Sequence, residues 1–192
     1  MSNSGEYYTR DRWQNWLDRL REEEIDPENE DSARLLLNLQ DDAAIAVAKI
    51  LTDHEDGALD EETAMSELGR IRDIVLSEVE IDDEEKLMLL DGVQTSLVCV
   101  FYAAEEYVVG GPAEEGTVDD YIGAAIDAEA EEDLDAAIGF CAQAGTRIID
   151  GEELDMSVTE DIEYGLVAEW INGLDSLQTA LAAPEVVEED DG

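Results

Sequence analysis

The sequence predicts an all-α protein: a single-domain, compact bundle of about seven amphipathic helices. Apolar residues make up 44% of the chain and recur at i, i+3, i+4 and i+7, the spacing of one helical face. Capping residues, glycines and prolines separate these periodic stretches. Segments typical of β-strands are nearly absent, and the best of them, residues 75–81, is short and lies between strong helical patterns.

The first two helices are predicted from their apolar stripes. Thr9 or Asp11 can cap a helix that runs to about Glu23. Its inner face consists of Trp13, Trp16, Leu17 and Leu20. A second helix is predicted over about 31–53, with alanines crowded at its middle. Because small side chains let neighbouring helices approach closely, we expect tight packing there.

The third and fourth helices flank a turn near residue 80. Asp60 can cap a third helix that runs to about Val79. Asp82 or Asp83 begins the longest helix, which the glycines and proline of 110–112 end. We expect this fourth helix to be central and the most buried, since its apolar stripe is the longest.

The last three helices each have a recognisable start. Thr117 caps the fifth helix, and Asp133 opens a sixth that ends at Gly151. Residues 157–160 fit a capping box, from which a seventh helix runs to Pro184.

The length indicates one domain, large enough to bury one sizeable core. We predict a flexible lead at 1–8, a helical domain at 9–183 and a disordered acidic tail at 184–192. Cys99 and Cys141 lie inside apolar helical stretches and are predicted to be reduced core residues. The alternative, a nucleophile or a redox pair, lacks a paired motif.

The charge of the chain is extreme. Acidic residues outnumber Lys and Arg by 53 to 10, which gives a net charge of -43, and they occur in every segment. Molar salt shortens the Debye length to roughly 3 Å and so screens repulsion between surface carboxylates. The even spread favours adaptation to a salt-rich cell interior over nucleic-acid mimicry or calcium buffering, which concentrate charge at one face or loop.

The location of the protein is predicted from what the sequence lacks. No basic segment with an apolar stretch behind it begins the chain, and no apolar run approaches the roughly 18 residues of a membrane span. We therefore expect a soluble cytoplasmic protein without membrane contact.

No catalytic residue, cofactor or metal ion is predicted. The single histidine, His54, lies in a turn without the spacing of a di-iron or zinc site. The residues around Gly57 do not match a calcium-binding loop, and no phosphate-binding loop is present. Serine and threonine have no histidine to activate them as nucleophiles.

The first helix is the candidate partner-binding element. It combines Tyr, Trp and Arg, the residue types enriched in binding hot spots. The candidate residues are Tyr7, Tyr8, Arg12, Trp13, Trp16 and Arg19. They would bind a protein, either a different protein or a second copy of this chain. In the alternative, the arginines pair with carboxylates such as Asp18 and Glu22 while the tryptophans fill the core.

Two other functions stay open. Gln94, Gln143 and Arg147 would form a buried polar pocket if their helices face inward together, as an enzyme or small-molecule sensor requires. Weak nucleic-acid association through the N-terminal arginines is disfavoured, because basic residues are few and phosphate contacts weaken steeply with salt. A non-enzymatic helical interaction or regulatory protein adapted to high salt is the leading hypothesis.

Several longer strings resemble a known family, the uncharacterised haloarchaeal proteins grouped as domain of unknown function family 2150. The strings are Glu6–Tyr8, Arg12–Arg21, Phe101–Tyr107 and Gly165–Trp170. The resemblance extends over nearly the whole chain. It implies provenance and brings no activity, cofactor or catalytic residue with it.

Overall fold

The computed structural model describes residues 7–24, 26, 28–155, 157, 160 and 165–182. This part of the chain folds into seven helices and contains no strand, which confirms the all-α bundle. The helices are α1 (Arg10–Glu22), α2 (Glu30–Glu55), α3 (Glu61–Val75), α4 (Glu84–Gly110), α5 (Val118–Ala130), α6 (Leu134–Ile149) and α7 (Leu166–Ala182).

Five helices begin at a residue that the sequence predicted as a cap. In each, the cap side chain accepts a hydrogen bond from a backbone N–H of the first turn, which satisfies one donor that has no partner within the helix. At α5 the bond is reciprocal, because the Asp120 carboxylate accepts from the backbone N–H of the cap in return. The caps are Thr9, Asp60, Asp83, Thr117 and Asp133.

The end of α3 differs from the prediction. The helix ends at Val75, four residues before the predicted end at Val79. The side-chain amide of Gln94 in α4 donates to the carbonyls of Val75 at 2.8 Å and Ser77 at 3.1 Å. Because these bonds come from a distant helix, the local pattern could not predict where α3 stops.

Some predictions fall outside the described residues. These are most of the lead at 1–8, the central residues of the capping box at 157–160, and the tail at 184–192. Helix α7 begins at Leu166, later than the predicted start at the capping box, since Gly165 before it has a φ of 141°, outside the helical region.

The core is organised around α4, as the sequence predicted. This helix packs against α2, α3, α6 and α7. Glycines allow close approach at two crossings: a Cβ on Gly173 of α7 would overlap the Ser96 carbonyl of α4, and one on Gly145 of α6 would overlap Ala103. Small residues at a contact shorten the interhelical distance.

The two cysteines are free and buried, as predicted, with Cys99 on α4 and Cys141 on α6. Burial raises the pKa of the Cys99 thiol well above its ordinary value, and contact with Cys141 raises it further. The Cys99 thiol is therefore held protonated, a state in which it is a poor nucleophile.

The expectation that no apolar run approaches the length of a membrane span is wrong for α4, which is long and apolar enough to cross a membrane, judged by length and composition alone. Half of its apolar window is buried inside the bundle. The central helix of a helical bundle commonly meets the same criterion, so this feature is weak evidence for a membrane span.

Candidate docking groove

The six candidate partner-binding residues occupy different environments around α1. Tyr8 and Trp13 belong to the core, with exposed fractions of 1% and 2%. Tyr7, Arg12 and Trp16 are half-buried, and Arg19 is exposed. The rings of Tyr8 and Trp13 therefore pack against other residues of this chain.

A buried carboxylate on α2 holds α1 in place. Asp42 accepts hydrogen bonds from Arg12 through Nε at 2.7 Å and through Nη2, and from the indole Nε1 of Trp16 at 2.8 Å. The Asp42 side chain is 3% exposed and that of Arg12 is 36% exposed. Two parallel bonds from a guanidinium to a carboxylate add geometric specificity as well as energy.

Sequence reasoning missed Asp42. A signal was present, because Asp42 shares a helical face with Leu35, Leu39 and Ala46 at seven, three and four residues' spacing. A carboxylate on an apolar stripe indicates a buried partner cation, since an unpaired charge there is costly.

The other contacts of α1 are also internal. The Arg19 guanidinium lies 4.9 Å from the centre of the Trp16 ring, a cation–π geometry. Arg21 pairs with Asp18 at 3.2 Å and donates to the Glu80 carbonyl at 3.0 Å. The outer face of α1 carries polar side chains such as Gln14 and Asn15.

The structure does not bring Gln94, Gln143 and Arg147 together. Gln94 binds the end of α3 near the start of α4, whereas Gln143 lines a different groove beside the end of α4. Arg147 donates to Glu152 at 2.8 Å and to the Ala113 carbonyl at 3.0 Å. These contacts tie the loop between α4 and α5 to the end of α6.

The groove beside the end of α4 is wide, about 900 Å³. Its lining includes Glu105, Glu106 and Tyr121. Glu105 is paired with Arg72 of α3, so part of its charge is already balanced. Burial raises the pKa of Glu106 above its ordinary value.

A second groove, about 550 Å³, lies between α2, α4 and α7, and we call it the α2/α4/α7 groove. Leu37 of α2 and Met88 of α4 line it with exposed fractions of 55% and 73%. Its floor is polar and well bonded: the buried amide of Gln40 donates to the Ser176 hydroxyl at 2.8 Å and to the Asn172 carbonyl at 3.3 Å.

Three carboxylates line the same groove: Asp41, Glu169 and Asp175. Burial raises the pKa of each, and for Asp41 the nearby Asp175 raises it further while a hydrogen bond with Ser176 lowers it. The ion pairs among the described residues involve other carboxylates. These three charges thus lack a basic partner in the described part of the chain.

Glycine makes room for one of these carboxylates. A Cβ on Gly92 of α4 would lie 3.2 Å from Oε2 of Glu169. An alanine at position 92 would therefore require the Glu169 carboxylate to shift by a few tenths of an ångström. Leu37 and Met88 lie off the predicted apolar stripes of their helices, which is the sequence signal that could have found this site.

The described residues that line the α2/α4/α7 groove can hold an occupant through apolar contact and charge. Within the described residues, no group of three His, Cys, Asp or Glu side chains is arranged to hold a metal ion. The groove offers exposed apolar surface beside negative charge, with no thiol or imidazole in its lining. Such a surface suits an occupant that carries both apolar and cationic groups.

Comparison with known protein families gives a match over nearly the whole chain. The model of the family described as "Uncharacterized protein conserved in archaea (DUF2150)" matches residues 6–190. No curated protein and no solved structure matches the chain.

Proposed function

We propose a function for this chain, which belongs to the conserved archaeal family DUF2150. The protein is a non-enzymatic interaction or regulatory protein of a salt-rich cytoplasm, with the α2/α4/α7 groove as its docking surface. The observation that carries the proposal is the exposure of Leu37 and Met88 beside three carboxylates without a basic partner in the described chain. Apolar groups left in water beside a concave surface are typical of interaction sites.

Two internal features support an interaction role over an enzymatic one. At the floor of the groove the Gln40 side-chain amide donates to the Ser176 hydroxyl and to the backbone carbonyl of Asn172, so neither the Gln40 nor the Ser176 side chain is free to activate a substrate. The separation of Gln94 from Arg147 also gives the alternative enzyme or sensor no common pocket.

Salt adaptation fits the same proposal. With a net charge of -43, association with another acidic protein in dilute buffer would face strong repulsion. Molar KCl screens that repulsion and leaves apolar contact as the main attraction. The arginines of α1 give little support to nucleic-acid binding, since Arg12 and Arg21 are engaged by Asp42 and Asp18.

Affinity capture in molar KCl tests the proposal. The wild-type chain and a Leu37→Ser/Met88→Ser double variant are immobilised, exposed to lysate of the source organism, and compared by quantitative mass spectrometry. The captured protein is then purified and its affinity for each variant measured. We expect the double variant to bind it about tenfold or more weakly, a loss of about 1.4 kcal/mol or more.

The matched control is Leu134→Ser. Leu134 is 43% exposed and lies at the start of α6, outside the groove. Full affinity is expected for this variant. Equal affinities of the wild type and the Leu37→Ser/Met88→Ser variant, or no protein captured by the wild type, would contradict the proposal.

A further inference from the structure

The charges of the α2/α4/α7 groove specify more than a docking surface. Asp41, Glu169 and Asp175 come from two helices and line one groove whose rim is apolar. Burial penalises the charged form of each, and Asp175 also repels the charge of Asp41, so keeping these carboxylates ionised costs stability. An occupant that brings a positive charge would relieve this cost.

Resting on the proposed function, we propose that the α2/α4/α7 groove receives a basic side chain of a partner protein, an arginine or a lysine flanked by apolar residues. The charged end would lie among Asp41, Glu169 and Asp175, and the neighbouring apolar residues would cover Leu37 and Met88. A guanidinium presents several N–H donors in one plane and can bridge carboxylates on separate helices.

A metal ion fits the groove poorly. Metal ligands must converge within about 2.0–2.6 Å of one point. The carboxylates of the groove are not among groups of described side chains arranged in that way. An organic cation, whose charge is spread over a larger volume, matches carboxylates that line a groove without meeting at one point.

A second copy of this chain is a poor source of the basic side chain. The chain has 10 Lys and Arg against 53 acidic residues. Most of its arginines are bound to its own carboxylates, namely Arg12, Arg19, Arg21, Arg70, Arg72 and Arg147. A free polyamine would satisfy the charges but would leave Leu37 and Met88 in water.

The test uses defined probes with the full chain in molar KCl. Affinities for hexylguanidinium, 1-hexanol and spermidine are measured by NMR titration, with the amide of Gly92 as a reporter beside Glu169. The variant Asp41→Asn/Glu169→Gln/Asp175→Asn neutralises the groove. The control variant Asp73→Asn/Asp127→Asn/Asp135→Asn removes the same charge from exposed positions elsewhere.

We expect the wild type to bind hexylguanidinium about tenfold or more tightly than hexanol. This preference should vanish in the groove variant and persist in the control variant. Equal affinities for hexylguanidinium and hexanol would overturn the inference and leave an apolar docking groove, as the proposed function requires. Tighter binding of spermidine than of hexylguanidinium would overturn it in favour of a small-molecule cation.

Sedimentation in molar KCl tests whether a second copy of this chain occupies the groove. We expect the purified chain to be monomeric. A dimer that the Leu37→Ser/Met88→Ser variant dissociates would overturn the inference, because the groove would then be occupied by a second copy. Failure of hexylguanidinium and 1-hexanol to bind, with capture of a partner still lost in the Leu37→Ser/Met88→Ser variant, would also overturn the inference while the proposed function stands.

Discussion

Replacement of Asp42 by alanine tests how α1 is attached. The Asp42 carboxylate accepts two bonds from Arg12 and one from Trp16, and its side chain is 3% exposed. Removing one partner of a buried pair costs about 3–5 kcal/mol, because the other charge is left uncompensated. The Arg12 side chain is 36% exposed, so water compensates part of the loss.

We therefore expect Asp42→Ala to lower the free energy of unfolding by about 2–4 kcal/mol. For a domain of this size each kcal/mol corresponds to about 2–4 °C in Tm, so the midpoint should fall by roughly 5–15 °C. Urea unfolding in molar KCl, followed by tryptophan fluorescence, measures the change, and Trp16 reports the loss of its own indole bond.

Asp18→Ala is the matched control. It removes the same charge, but from a pair whose side chains are 61% and 38% exposed, and such surface pairs are worth about 0–1 kcal/mol. If the two variants unfold within about 0.5 kcal/mol of each other, Asp42 is not what holds α1 to the bundle, and the reasoning is refuted.

Three further predictions concern packing, ionisation and salt. Gly173→Ala should destabilise the protein by about 1–3 kcal/mol, because its Cβ would overlap the Ser96 carbonyl. Gly123→Ala, at an open helical position, should stabilise it by about 0.5–1 kcal/mol. Thermal unfolding distinguishes the two variants, and equal shifts of their unfolding midpoints would count against the close crossing of α4 and α7. The folded pKa of Asp41 is raised above 3.8, so its contribution to stability is fully present below that value and is lost as pH rises through the raised pKa. Asp41→Asn should therefore have a higher thermal unfolding midpoint than the wild type at neutral pH, and the difference between the two midpoints should vanish in acid. A variant no more stable than wild type at neutral pH would contradict this. The helical circular dichroism signal should be lost on dialysis from molar KCl to dilute buffer, since the charge of -43 is then unscreened, and full retention would argue against salt adaptation.

The helices could be predicted because their signals are local. A cap such as Thr117 acts on a backbone N–H within its own first turn, and an apolar stripe repeats along one helix. The end of α3 could not be predicted in this way, because Gln94, nineteen residues after Val75, supplies its hydrogen bonds. Local pattern therefore specified the start of five described helices, whereas a tertiary contact decided where α3 ends.

The candidate site was harder to predict for the same reason. The apolar stripes of α2 and α4 indicate that Leu37 and Met88 point away from the core, but whether that surface is left open depends on which helices α2 and α4 meet. The aromatic residues of α1 matched the composition of a hot spot, but composition does not distinguish an exposed tryptophan from a core one such as Trp13. In a chain with 53 acidic residues, the three carboxylates of the groove carry no signal until burial separates them from the rest.

The most direct test of the central claim places a photo-crosslinking amino acid at position 88, in the α2/α4/α7 groove, and another at position 134 as a control. Irradiation in lysate of the source organism in molar KCl is followed by mass spectrometry of the products. We expect position 88 to crosslink one reproducible protein and position 134 not to, and we expect the joined peptide of that protein to contain arginine or lysine. Equal labelling from both positions, or no product from position 88, would contradict a docking role for the groove.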